Sequence, residues 1–336
     1  MTAPVARLSR PSAAPAPFEW LSAYTAGSDV TAADASIAPE AVIRLPDRVL
    51  EGPAALMADA LAQRAALTGA QVLGEESVLA DTRPGPGEEN GGLAMATRAT
   101  ILAQHGGTGV YGPASGRPLR MRVMADLWQR DGLIRDIWMI RDTAAVLQQA
   151  AGTDPRSWVE SLLAGPQASR LPSPLTPEND PEPAYLGRGT ANPEAESLAD
   201  ILDRVMGGEI SAISGNYDPA CELSHPGGET ALGHAAAEAF WTGLRSALPG
   251  ASFRIEHRIG HAPSRGAPVA ALRWSLYGRH DGFGRFGAPS GSYVYVMGLT
   301  QAEFGPRGVR REWTLIDDLA VWTQILSPGS KTRAER

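Results

Sequence analysis

The chain repeats itself. Fourteen residues between Ala96 and Gln149 return 175 positions later, between Ala271 and Gln324, without a gap. Arg98, His105, Gly107, Gly109, Gly112, Ser115, Gly116, Trp138, Asp142 and Gln149 recur as Arg273, His280, Gly282, Gly284, Gly287, Ser290, Gly291, Trp313, Asp317 and Gln324. Ala96, Arg135, Ala145 and Val146 recur as Ala271, Arg310, Ala320 and Val321. Chance would give roughly three matches at ordinary composition. A duplicated domain follows, and 336 residues accommodate two such domains.

The repeat fixes the expected organisation. Residues 1–17 read as a flexible N-terminus, 18–164 as the first domain and 165–193 as a Pro-rich linker; 194–326 read as the second domain and 327–336 as a polar tail. The linker reading rests on six prolines from Pro166 to Pro183. A Pro/Gly/Glu-rich patch, Arg83 to Gly92, reads as a long hairpin loop. In the second half the spacing predicts helices over Pro193–Met206 and His234–Leu248, then strands over Ser252–Gly260, Val269–Gly278, Ser292–Phe304 and Val309–Asp317. The first half runs in parallel: helices over Phe18–Tyr24 and from Gly52 to Leu67, then strands over Ala70–Leu79, Leu93–Ala103, Leu119–Gln129 and Leu133–Arg141. Helices followed by consecutive antiparallel strands make an α+β fold. Helices on one face of a curved sheet enclose a mostly apolar cone, where a ligand would sit.

Several function classes drop out on composition. A net charge of −7 argues against a nucleic-acid partner. No apolar run approaches the ~20 residues of a membrane span. Cys221 is the single cysteine and reads as a small buried residue. The six histidines are dispersed, which argues against a metal site. Gly282, Gly284 and Gly287 lack the Gly-Lys-Ser/Thr of a phosphate loop, so no cofactor is expected. Met1 to Phe18 has no hydrophobic signal core, which suggests a cytoplasmic protein.

Strand alternation sorts the polar repeat members by face. Leu272, Trp274, Leu276, Gly278 and His280 share one side, with His105 at the matching place in the first half. Arg98 and Arg273 point the other way, into the contact between halves. Arg311, Trp313, Leu315 and Asp317 share a face, as do Asp136, Trp138, Ile140 and Asp142. An Asp beside a Trp at the end of a core strand suits a general base with a raised pKa. The same Asp142 and Asp317 equally suit N-caps of the helical turns that follow. His105 and His280 are either pocket residues or hydrogen-bonded loop anchors. His225 lies at a pocket mouth or on an exposed turn, while His234 and His257 read as structural.

A family resemblance rests on Arg273-Trp274, Gly278-Arg279-His280-Asp281-Gly282, Pro289-Ser290-Gly291, and Glu312-Trp313 with Asp317 and Gln324. In these, Tyr217 to Leu326 resembles the SnoaL-like polyketide cyclases of the nuclear-transport-factor-2-like superfamily. Ser290 stands where that family usually has Thr. The first half keeps His105, Gly116, Trp138, Asp142 and Gln149 and is similar to a diverged copy. The resemblance implies two tandem cone-shaped α+β barrels of cystatin-like type, packed through their sheets. It also implies a cofactor-independent aldol-type cyclase or isomerase acting on a polyketide-like molecule. Asp317, or Asp142 in the first half, would be the base, with His280 and His105 beside it. Trp313, Trp274, Trp241, Trp138 and His225 are the candidate substrate contacts. The alternatives are a non-catalytic binder of a small hydrophobic molecule and a scaffold. Two halves that cover each other's sheets predict a pseudo-dimeric monomer.

Overall fold

The computed structural model describes residues 19–25, 36–83, 91–166 and 173–327. The N-terminal segment, the tip of the Arg83–Gly92 loop and the C-terminal tail lie outside these residues. The first unit runs α1 (Glu19–Thr25), β1 (Ile37–Leu45), β2 (Arg48–Glu51), α2 (Gly52–Ala66), β3 (Leu67–Asp81), β4 (Leu93–His105), β5 (Pro118–Arg130), β6 (Leu133–Arg141), α3 (Thr143–Ala151) and α4 (Pro155–Ala164). The second runs α5 (Pro193–Met206), α6 (Ser211–Asn216), β7 (Tyr217–His225), β8 (Glu229–Leu232), α7 (His234–Ala247), β9 (Ser252–His261), β10 (Val269–Arg279), β11 (Tyr293–Gly305), β12 (Gly308–Ile316) and α8 (Asp318–Leu326).

Each unit is an α+β fold on one six-stranded sheet, ordered β2-β1-β6-β5-β4-β3 and β8-β7-β12-β11-β10-β9. Two expectations are corrected here. The sheets are mixed, because β1 pairs with β6 and β7 with β12 in parallel. They are also open rather than closed into barrels, since β2 and β3 end one sheet order and β8 and β9 the other. The strands β1 and β7 escaped prediction for a shared reason. Each carries a proline, Pro39 or Pro219, at a register shift against its parallel neighbour. Proline lacks the N–H a regular ladder needs and is confined to edges and bulges, which hides a strand from pattern reading.

The helices lie on one face of each sheet because their apolar stripes demand cover. In α5, Leu198, Ile201, Leu202 and Val205 are buried on one side of a helix capped by Asn192, whose side chain accepts from the Ala195 N–H at 3.0 Å. Facing them are Leu272, Trp274 and Leu276 of β10, as strand alternation predicted. Gly52 and Gly233 open α2 and α7 with φ of +69° and +79°. At Gly52 a side chain would lie 2.6 Å from the Pro39 carbonyl oxygen, so glycine is required there.

The helix-free faces of the two sheets pack on each other. Met124, Trp138 and Ile140 meet Met297, Leu299 and Leu315, while Val78, Ala96 and Trp128 meet Ile259, Val269 and Ala271. The connecting segment is held against this layer. Arg44 binds Asp180 and the Pro181 carbonyl, and the Tyr185 N–H donates to Asp136 at 3.1 Å.

Candidate functional site

The cone of the second unit gathers His225, Trp241 and Trp274 around a carboxylate that sequence reading missed. Glu312 accepts from Tyr217, from Thr314 at 2.8 Å and from the Trp241 indole N–H at 3.5 Å, with His225 Nε2 at 3.4 Å. The Trp274 N–H donates to Thr300 at 3.0 Å, and Thr300 reaches Thr314 at 2.9 Å, so the network is continuous. Burial pushes the Glu312 carboxyl up. His225, Tyr217 and Thr314 outweigh that and hold it below its ordinary value. The surrounding space is filled by Phe240, Trp241, Leu244, Trp274 and Leu276. Trp274 lies so close over Gly298 that a side chain there would meet its ring at 2.1 Å. This is a hydrogen-bonded polar core set among closely packed rings. The signal for Glu312 was its alternation with Trp313, which puts it on the opposite face of β12.

The first unit's cone has a different interior. Asp59 of α2 pairs with Arg141 at the end of β6, and Tyr24 of α1 donates to Asp59. Tyr111 donates to Gln63 nearby at 2.7 Å. Burial raises the Asp59 carboxyl, but Arg141 and Tyr24 more than offset it and keep it ionised below the usual aspartate range. Burial likewise pushes the Tyr24 phenol up, so it remains a neutral donor. Leu21, Ala60, Ile101 and Met121 close this cluster around a cavity of about 10 Å³. One water molecule needs about that much.

The two predicted bases lie at the junction of the units. The Asp317 carboxylate accepts from the Leu319 and Ala320 N–H groups at 3.0 and 3.4 Å, capping α8, and from Thr143 of the first unit at 2.5 Å. Asp142 accepts from Ala145 at 3.3 Å, capping α3, and from Gly227 and Gly228 of the second unit at 2.7 and 2.9 Å. Both are therefore caps that also stitch the units together. Burial pushes Asp317 up to about 7 against these hydrogen bonds, and it also raises Asp142. His280 and His105 sit on the cone-facing side as predicted, each with Nδ1 on a loop serine, Ser290 at 3.1 Å and Ser115 at 3.0 Å. Burial lowers the His280 pKa.

Trp138 and Trp313 lie in the layer between the sheets, under arginines from the opposite unit. The Arg98 guanidinium is 3.6 Å from the Trp313 ring centre, and Arg273 is 3.5 Å from that of Trp138. Arg98 also donates to Gln301 at 3.2 Å and Arg273 to Asp126 at 2.9 Å, and those two acceptors are repeat partners. The outward orientation read for both arginines is what places them here. His257 completes the Asp126 site at 3.0 Å, and His234 holds the Tyr217 carbonyl at 2.9 Å.

Two grooves flank this layer at repeat-related places. The smaller, about 270 Å³, is lined by Glu75, Arg120, Asp142 and Trp313 with the β7–β8 turn. The larger, about 500 Å³, lies over the outer face of β9, β10 and β11. Trp138 ends it, Arg254, Tyr277 and Tyr295 floor it, and Pro177–Arg188 of the connecting segment walls it. Among the described residues no group of His, Cys, Asp and Glu is arranged to hold a metal ion, and no helix is long and apolar enough to cross a membrane.

Solved structures similar to this chain include SnoaL-like and nuclear-transport-factor-2-like proteins. One, provisionally assigned as a SnoaL-like polyketide cyclase from Jannaschia sp. CCS1, is 21% identical, covering 41% of this chain and 98% of its own, with a TM-score of 0.36. TsrD from Streptomyces laurentii is 20% identical over 40% of this chain and 90% of its own, with a TM-score of 0.33. An NTF-2-like protein of unknown function from Burkholderia xenovorans LB400 is 20% identical over 37% and 82%, with a TM-score of 0.27. No family model and no curated protein matches the chain.

Proposed function

We propose that this protein is a non-catalytic binder of a small aromatic molecule, and that the larger inter-unit groove is its site. The observation that carries the reading is the contrast in space. The groove offers about 500 Å³, within the ~300–1,000 Å³ of small-molecule sites, whereas the first cone holds about 10 Å³. Position supports it too, since ligand sites favour the junction of two domains. The reciprocal Arg98–Trp313 and Arg273–Trp138 contacts support a monomer whose halves replace a dimer's two subunits.

A second reading keeps one specific observation in its favour. A cyclase or isomerase of the kind the motifs resemble needs a base poised near neutral pH, and Asp317 at about 7 has that property. Its carboxylate is occupied by three donors. These donors all meet Oδ1, which leaves Oδ2 as the oxygen to take a substrate proton.

The test is titration calorimetry with naphthalenemethanol against the wild type and a Tyr277→Ser/Tyr295→Ser variant. Binding to the wild type that is lost in the variant is expected. Equal binding to both would place the site elsewhere.

A further inference from the structure

We infer that the groove takes an aromatic carboxylate, with its anionic group on Arg254 and its ring against Tyr277 and Tyr295; the inference rests on the binding reading above. The argument is one of unmatched charge. Of the six charged groups lining the groove, three are bonded within the protein. Arg273 is held by Asp126, Asp180 by Arg44, and Glu256 accepts from Ser275 at 2.6 Å. Three charged side chains have no hydrogen-bond or ion-pair partner among the described residues: Glu182 and Arg188 on the wall, and Arg254 on the floor. Arg254 is therefore the one unpartnered cation among the groove's sheet residues; Glu256, two positions along, bonds only the Ser275 hydroxyl.

Its setting specifies the rest of the ligand. On β9, Arg254 stands between Ser252 and Glu256, directly across from Ser275. Tyr277, two positions along β10, and Tyr295 on β11 continue the floor, with ring centres 6.2 Å apart and planes at 62°. Both rings of Trp138 are less available, because Arg44 at 4.5 Å and Arg273 at 3.5 Å already stack on that side chain. A ligand ring consequently meets the tyrosines. A planar carboxylate can take two parallel hydrogen bonds from one guanidinium, a match that a hydroxyl or amide cannot make. Offset or edge contacts with the two phenol rings suit an aromatic body. Phosphate-rich ligands fit less well, because Glu182 and Glu256 line the same groove.

The experiment compares naphthoate with its neutral counterpart naphthalenemethanol by titration calorimetry, using the full chain. We expect naphthoate to bind the wild type about ten-fold more tightly, the usual worth of a charge-assisted hydrogen bond. Arg254→Gln should abolish that preference and leave naphthalenemethanol binding unchanged; Arg254 is exposed, so the fold should tolerate the change. An Arg188→Gln variant should retain the preference, which separates a specific contact from a general loss of positive charge. Equal affinity for the two probes, or a preference that survives Arg254→Gln, overturns the carboxylate inference while leaving the groove reading intact. No binding of either probe to the wild type overturns both.

Discussion

The two cones are built on the same element order and filled in opposite ways. Strand pairing puts Trp274 of the second unit opposite Gly298, whereas the first unit has Ala99 opposite Val123. Counting from the opening glycines, Trp241 of α7 matches Ala60 of α2, and Leu244 matches Gln63. The second cone is thus closed from within by its own indoles and their hydrogen-bonded glutamate. The first has small residues at those places, and α1 brings Trp20, Leu21 and Tyr24 into its core. The comparison teaches that the fold does not dictate a pocket. Two large-for-small exchanges separate the two cores, and the leading helix of each unit completes its own.

The largest effects should come from reversing those exchanges. Trp274→Ala should cost about 3–5 kcal/mol in urea unfolding, the range for deleting a buried aromatic ring. The reciprocal Ala99→Trp should cost about 1–3 kcal/mol, because Val123 occupies the room that Gly298 leaves in the second unit. If Trp274→Ala were neutral, the second cone would not be the packed core described. In the first cone, Arg141→Met leaves the buried Asp59 with only the more distant Arg48, at 3.9 Å, and should cost about 3–5 kcal/mol. Adding Asp59→Leu should recover much of that loss. A single mutant as stable as the double mutant would contradict the paired arrangement.

A smaller contrast separates the repeat-related arginines of the inter-unit layer. Arg273 neutralises Asp126, a buried carboxylate, whereas Arg98 pairs with the half-buried Glu75 and meets the neutral Gln301. Arg273→Ala should therefore cost about 3 kcal/mol and Arg98→Ala about 1 kcal/mol, a desolvated charge being the dearer group to strand. Equal costs would mean that ring stacking on Trp138 and Trp313 dominates both sites.

The finest test is pH. The folded-state value of Asp317 lies above that of an unfolded aspartate, so the folded protein holds the proton more tightly. This group's contribution is fullest below the ordinary carboxylate range, falls as pH rises to about 7, and is constant above it. The slope should be about 1.4 kcal/mol per pH unit within that window. Asp317→Asn keeps an oxygen for the Leu319 and Ala320 amides but removes the titration, so the wild-type minus mutant difference in thermal unfolding should fall as pH rises to about 7. A difference that grows in favour of wild type with rising pH would show an ionised cap instead.

Much of this was legible in the chain, and the misses have definite causes. The repeat exposed two units, and alternation along β10 put Trp274 and His280 toward the helices and Arg273 away from them. Alternation along β12 also grouped Trp313 with Asp317 correctly. What alternation cannot supply is which of its two faces β12 turns toward the helices, since that depends on pairing with β11. Asp317 consequently lies against Thr143 at the junction of the units, and Glu312 was overlooked. The groove was invisible for another reason. It joins Trp138, a connecting segment and three strands of the second unit, which no local pattern relates.

The central claim is that the ligand space lies between the units and not in either cone. Fluorine NMR on protein carrying fluorotryptophan addresses it directly, because the eight tryptophans include reporters for each place. Trp138 ends the groove, Trp20 is buried in the first unit's core, and Trp241 and Trp274 fill the second cone. On titration with naphthoate, the Trp138 resonance should shift while those of Trp20, Trp241 and Trp274 stay in place. Shifts at Trp20, Trp241 or Trp274 with Trp138 unmoved would put the ligand in a cone and contradict the account.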